Sequence, residues 1–330
     1  MPDFSRLLLL FTLSTVLAAS GASCPRRSIP SSALQPVFLG PPTTLQVIQK
    51  INDNSAPIRQ LRAHGARLSL PGTPTLRAEL AIERPRRLRL KADTTLTGAE
   101  LDLGSNDDLF WMWVKRADPP AVYYCRHDQF YTSSARQVLP VEPTWLISAL
   151  GVVTLDQSGQ HSGPVAVGPG KLEMRSVVLT PEEALTRVLI LHDTQGWVLE
   201  QHLYNGKHQL LASSRMSRHR HDSSTGVTLP HHVEICLPPV GMSFVIDVDR
   251  YEINQLDSRN WQMWQTPHPQ GVPLADLASP YLRFSSPGIA NTTGMSTPPP
   301  HDRQGALQPL SPNVTRSSQR SRRLRDLFSR

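Results

Sequence analysis

The sequence predicts a mainly β fold, a single antiparallel sheet wide enough to curl toward a barrel. Three observations predict it. Between Ala63 and Ile253 the chain falls into about a dozen short stretches of alternating apolar and polar residues, most of them roughly 8 to 15 residues apart. Each stretch is bounded by Asp, Asn, Gly or Pro, the residues that supply turn conformations. The regular alternation of helix and strand that a parallel sheet requires is absent, and one domain of about 240 residues is within the range of a barrel.

The elements follow in order. TTLQVIQKIND, Thr43 to Asp53, has Leu45, Ile48 and Ile51 three apart with Val47 beside them, so it predicts a short amphipathic helix capped by threonine. AHGARLSL, TLRAELAIE and RRLRLKA are half-buried strands; in the last, Leu88 and Leu90 face inward while Arg87, Arg89 and Lys91 face water. GAELDLG, LFWMWVKR and AVYYCR continue the series. In FWMWV either Trp111 and Trp113 point inward with Leu109, or Phe110, Met112 and Val114 do, because both faces are apolar. PTWLISAL, Pro143 to Leu150, predicts a short helix with Pro143 near its first turn and Gly151 closing it. Its Trp145, Leu146 and Leu150 form either the inner face of a lid or an ordinary packing face. KLEMRSVVL, TRVLILHD, GWVLEQHLY, HQLLASSRM, HHVEICL and MSFVIDVDRYEI complete the strands.

The ends of the chain are different in kind. Arg6 precedes an apolar run from Leu7 to Leu17, followed by small residues from Ala18 to Ser23. That run is shorter than the roughly 20 residues of a membrane-spanning helix and matches a secretory signal over residues 1–23. Two cleavage readings stand: after Ser20-Gly21-Ala22, which frees a soluble protein, or before Cys24. Gly21-Ala22-Ser23-Cys24 resembles a bacterial lipobox, in which the cysteine thiol accepts a diacylglycerol; Gly21 stands where that pattern has a large aliphatic residue. Residues 24–42, rich in Pro and Ser, read as a tether. Residues 278–330 read as a disordered tail, and seven arginines against Asp302 and Asp326 in the last thirty residues supply most of the chain's net charge of +7. The rest is nearly neutral, which argues against a nucleic-acid partner and for weak attraction of the tail to an anionic surface.

Three cysteines occur in 330 residues. With Cys24 acylated, Cys125 and Cys236 remain, either as a disulfide of an oxidising envelope or as two separate buried thiols. No G-x-S-x-G elbow, H-E-x-x-H helix or phosphate-cradling glycine loop is present, so no catalytic residue is assigned and no cofactor is expected. His219, His221, His231 and His232 lie close in sequence, but Arg218 and Arg220 oppose a cation there, and no metal is expected.

ERPRRLRLKADTTLTGAELDLGSNDDLFWMWVKR, Glu83 to Arg116, is similar to the LolA/LolB class of bacterial lipoprotein carriers. Pro85, Arg87 and Arg89 match the strand that opens on Pro with alternating Arg; Asp107, Trp111 and Trp113 match the following strand with its acidic start and aromatic middle. The resemblance spans Thr43 to Leu277. It implies a half-open antiparallel β-barrel of about 11 to 12 strands around an apolar cavity, lidded by short helices, that takes the acyl chains of a lipid or lipoprotein. Leu88, Leu90, Phe110, Trp111, Met112, Trp113, Trp145, Leu146 and Leu150 are the candidate contacts. The chain then reads as an exported, non-enzymatic envelope lipoprotein facing the periplasm, more at the outer than the inner membrane, held by its N-terminal lipid. The same sheet filled by its own side chains would instead serve an envelope protein partner, and an unrecognised hydrolase is the third reading.

Overall fold

The computed structural model describes residues 35–257 and 261–279. The predicted signal, Cys24, most of the tether and nearly all of the basic tail lie outside the described residues. The elements of the fold all belong to the unit that begins at Val37.

Helix α1 (Thr44–Ser55) opens the fold. Its N-terminus is a capping box: Gln46 N–H donates to the Thr43 hydroxyl and Thr43 N–H donates to Gln46 Oε1, satisfying two otherwise orphaned donors. Val47, Ile48 and Ile51 are buried on one face. Six strands follow, β1 (Gln60–Ser69), β2 (Leu76–Glu83), β3 (Arg87–Thr94), β4 (Gly98–Ser105), β5 (Leu109–Val114) and β6 (Val122–Arg126). Two short helices, α2 (Ala135–Val138) and α3 (Trp145–Ala149), interrupt. Then come β7 (His161–Gly168), β8 (Lys171–Leu179), β9 (Ala184–His192), β10 (Val198–Tyr204), β11 (Leu210–Ser217), the hairpin β12 (Arg220–Asp222) and β13 (Val227–Leu229), β14 (His232–Leu237), β15 (Met242–Asp247), β16 (Arg250–Ile253) and β17 (Leu274–Asp276).

The main sheet runs β17-β6-β5-β4-β3-β2-β1-β15-β14-β11-β10-β9-β8-β7, with β16 also on β1. Its two end strands, β17 and β7, are not paired with each other, so the barrel is half-open as the resemblance implied. Two meanders meet at β1, which pairs β2 along one side and divides its other side between β16 (Leu61 to His64) and β15 (Arg67 to Ser69). The division falls at Gly65, whose φ of +62° accommodates the bulge, and where a Cβ would collide with the Asp249 side chain.

The strand count exceeds the predicted dozen for identifiable reasons. MSFVIDVDRYEI, read as one strand, breaks at Val248-Asp249 into β15 and β16 so that its second half can move onto β1. Strand β7 holds Pro164 and three glycine or alanine positions and is largely exposed, which leaves no apolar alternation to read. Strand β17 is three residues long and pairs β6 in parallel, an exception to the antiparallel rule.

The inward and outward sets of β5 are resolved. Phe110, Met112 and Val114 share a face with Leu88, Leu90 and Leu103 of the paired strands, and Phe110 packs edge-on against Phe130. Trp111 and Trp113 lie on the other face, beside Asp102. There the structure corrects one expectation: Arg89 does not face water. It is buried, donates to both oxygens of Asp102 at 3.1 and 2.6 Å and to the Met263 carbonyl, and lies over the Trp111 ring. Trp111 Nε1 donates to the same carboxylate at 3.1 Å. A buried guanidinium and carboxylate are tolerated because each is charge-paired and hydrogen-bonded. Arg87 pairs Glu83 and Asp107, and Lys91 is exposed as expected.

The disulfide alternative is not realised. Cys125 on β6 and Cys236 on β14 are free thiols, with six strands between them in the sheet. Cys125 sits beside the Ser133 hydroxyl, and burial raises its pKa. Among the described residues no helix is long and apolar enough to cross a membrane.

Gly104 stands directly under the Trp111 indole, leaving no space for a Cβ. The substitution Gly104→Ala is therefore expected to destabilise the fold by about 1–3 kcal/mol through overpacking, read as a lowered urea midpoint with unchanged slope; an unaltered midpoint would show that the indole is not held there.

Candidate functional site

The concave face of the C-terminal meander is covered by the chain between β6 and β7. Helix α1 anchors this cover through Asn52 and the β12–β13 hairpin through Asn54. Asn52 both donates to the Leu155 carbonyl (2.8 Å) and accepts from its N–H (2.9 Å); Asn54 does the same with Thr228 (2.9 and 2.8 Å). The Thr44 hydroxyl also donates to the Gly163 carbonyl at the start of β7. Helix α3 is tied to the sheet beneath it by a buried bond from Gln201 Nε2 to the Ser148 hydroxyl, 3.1 Å. Gln201 Oε1, Trp145 Nε1 and the Ser214 hydroxyl in this layer have no hydrogen-bond partner among the described residues.

Between this cover and the sheet lies a cavity of about 220 Å³. Its sheet wall is built by strand alternation. On β9, Leu185 and Arg187 point into it, while Thr186, Val188 and Ile190 point to the convex surface. Val178 of β8, Leu203 of β10 and Leu211 of β11 extend that wall. The cover contributes the apolar and aromatic Phe130, Tyr131, Val141, Trp145, Ile147 and Val152 beside the polar Glu142, Thr144, Ser148 and Thr154, so the lining is mixed.

Its charged groups are unevenly placed. Arg136 is neutralised by ion pairs to Glu182 and Glu183. Glu142 accepts a long bond from the Tyr131 hydroxyl, 3.5 Å; burial and then that carboxylate push the phenol up to about 12. At Thr154 two guanidinium groups converge. Arg84 donates to the Thr154 hydroxyl at 3.0 Å and to the carbonyls of Ser55 and Ile58; Arg187 makes one long bond to the Thr154 carbonyl, 3.4 Å. Among the described residues neither forms an ion pair and Arg187 Nε is buried without a partner; burial lowers the Arg187 pKa. Arginine remains charged regardless.

Of the nine predicted contacts, Trp145 lines the cavity. Leu146 and Leu150 are buried at the same helix, and Phe110 stands behind the lining residue Phe130. Leu88, Leu90 and Met112 lie on the inner face of the N-terminal meander, away from the cavity, and Trp111 and Trp113 are on the opposite face. Sequence reasoning passed over Arg84, Tyr131, Thr154 and Arg187. The one available signal was an arginine inside the otherwise apolar run TRVLILHD.

The histidines singled out in the sequence have local partners. His219 stacks on Trp197 at 5.3 Å and bonds the Val198 carbonyl, His221 meets the Thr228 hydroxyl, His231 bonds the Val248 carbonyl, and His232 meets Asp247. Burial lowers the pKa of His219 and His231. Among the described residues no cluster of three or more His, Cys, Asp or Glu side chains is placed to hold a metal ion.

No family profile and no curated protein matches the sequence. Solved structures do resemble it. One is a Vibrio parahaemolyticus domain provisionally described as outer membrane lipoprotein-sorting (TM-score 0.46, 10% identity, 66% of this chain and 95% of that one). Others are a DUF1329 family protein from Desulfovibrio piger (TM-score 0.46, 11% identity, 67% and 97%) and a LolA superfamily protein from Nitrosomonas europaea (TM-score 0.41, 10% identity, 66% and 96%).

The raised Tyr131 pKa has a signed consequence. The fold favours the neutral phenol, so its contribution is present below the ordinary value of 10.0 and is lost as pH rises toward about 12. Urea midpoints measured across that window should fall less steeply for Tyr131→Phe than for the unaltered chain. Equal slopes would place Tyr131 in solvent.

Proposed function

We propose that this protein is an exported, membrane-anchored envelope lipoprotein that binds lipid acyl chains non-covalently and holds or passes on a lipid or lipoprotein. The observation that carries this reading is the cavity beneath α3, whose aromatic cover and leucine wall offer apolar surface among polar groups on the inner side of an open sheet. Acyl chains gain about 25 cal/mol per Å² of surface removed from water, and no reaction is needed. The cavity is smaller than the roughly 300–1,000 Å³ of drug-sized ligand pockets. It admits part of a chain as it stands; further entry requires α3 to lift, and Leu146, Leu150 and Phe110 are the next apolar surfaces exposed. Cys24 supplies the anchor and the Pro/Ser-rich tether the reach, with the outer membrane the favoured site and the basic tail adding attraction to anionic lipid.

Native mass spectrometry of the full-length chain incubated with phospholipid and fatty acid tests this. Discrete lipid adducts are expected, and Leu203→Trp, which fills the cavity, should abolish them while leaving the circular dichroism spectrum intact. A bare protein mass under all conditions would favour the reading in which the sheet is filled by its own side chains and serves a protein partner.

A further inference from the structure

The cavity is not charge-balanced, and its imbalance is local. Arg136 has its carboxylates, and Glu142 lies toward Tyr131. At Thr154 two guanidinium groups meet from different strand systems, Arg84 from the end of β2 and Arg187 from the middle of β9, and among the described residues no carboxylate pairs with either. Arg84 has three neutral oxygen acceptors for its donors. Arg187 has one, at the limit of hydrogen-bond distance, and its Nε is buried and unpaired.

The strand neighbours of Arg187 offer no counter-charge. Its cross-strand partners on the concave face are Ser176 and Leu203. The Ser176 hydroxyl is engaged by His161 Nδ1, and the other nitrogen of that ring is held by the Asp156 carbonyl. A half-buried guanidinium whose Nε is buried without a partner is costly, and a second guanidinium at Thr154 adds repulsion. An anion entering from the cavity relieves both costs, and a guanidinium fork matches the paired oxygens of a carboxylate or phosphate.

We infer that the ligand of this cavity is an anionic amphiphile, whose acyl chain lies along Phe130, Trp145 and Leu203 and whose terminal carboxylate or phosphate is received by Arg187, with Arg84 beside it. This rests on the acyl-binding reading above and narrows it: a neutral lipid end group would leave the cationic end of the cavity unpaired. Arg187 is thus a specificity residue, discriminating by head charge, while the apolar walls bind the chain whatever its head.

The test is calorimetric titration of the full-length chain with dodecanoate, dodecyl phosphate and 1-dodecanol, which share one alkyl length. The anions are expected to bind at least about tenfold more tightly than the alcohol, the range of a charge-assisted hydrogen bond. Arg187→Met should reduce that preference to under about threefold by weakening the anions, with dodecanol affinity retained; Arg175→Met, on the opposite face of the sheet, should preserve it. Tighter binding of dodecanoate would assign a fatty-acid head, and of dodecyl phosphate a phospholipid-type head. Equal affinity for alcohol and anions in the unaltered chain, a comparison that needs no variant, would overturn the inference while leaving acyl binding standing. So would an undiminished preference in a folded Arg187→Met protein. Binding of none of the three would remove the acyl-binding reading itself.

Discussion

The structure depends on the pairing of β1 with strands from the far end of the chain. Nothing local holds the two meanders together: β1 meets β15 through Arg67, Leu68 and Ser69, and β16 through Leu61 to His64. Partners nearly 200 residues apart must be brought together before either pairing is rewarded, the circumstance in which loop-closure entropy weighs most. The register is fixed by burial, since Leu61, Ala63, Ala66 and Leu68 are all inside, and a slip of one residue would turn them to the other face. Arg67 and Asp249 bridge the seam, but both are about half exposed, so their ion pair adds little beside that burial.

Once the meanders are joined, the sheet has a concave face too wide for its own side chains to fill, and the rest of the architecture is a response. Helix α1 buries Val47, Ile48 and Ile51 against it, and its two asparagines fasten extended chain on either side. The segment carrying α2 and α3 closes over the C-terminal half. The bond between Gln201 and Ser148 is a polar contact in an apolar layer, a net contribution of about 1 kcal/mol beside the burial of Trp145, Leu146, Ile147 and Leu150 in the same core. A covered, incompletely filled concavity is what a binding role requires of this fold, and its one unpaired cationic end gives that concavity a direction.

Much of this was legible in the sequence, for physical reasons that also explain the rest. The start of α1 could be read because the Thr43 cap lies beside the apolar spacing of Ile48 and Ile51. Strands β2 and β8 could be read because their faces differ. The site was harder because the strands that build it are apolar on both faces: in TRVLILHD, Leu189 and Leu191 face in while Val188 and Ile190 face out, so a period of two does not say on which side Arg187 lies. FWMWV hid the burial of Trp111 in the same way. The water-facing reading of Arg89 failed because its cover, around Trp261 to Trp264, comes from some 170 residues later in the chain. Two cysteines in a chain whose start reads as an export signal invited a disulfide, but evenness of number carries no distance, and the sheet order separates them.

The most direct test is to locate a heavy-atom-labelled chain. Crystals of the protein grown with 12-bromododecanoate, examined by anomalous diffraction at the bromine edge, should show a peak inside the cavity near Trp145 and Leu203, with the carboxylate end at Arg187. A peak on the convex face, or a cavity closed by its own side chains with no bromine in it, would contradict the account.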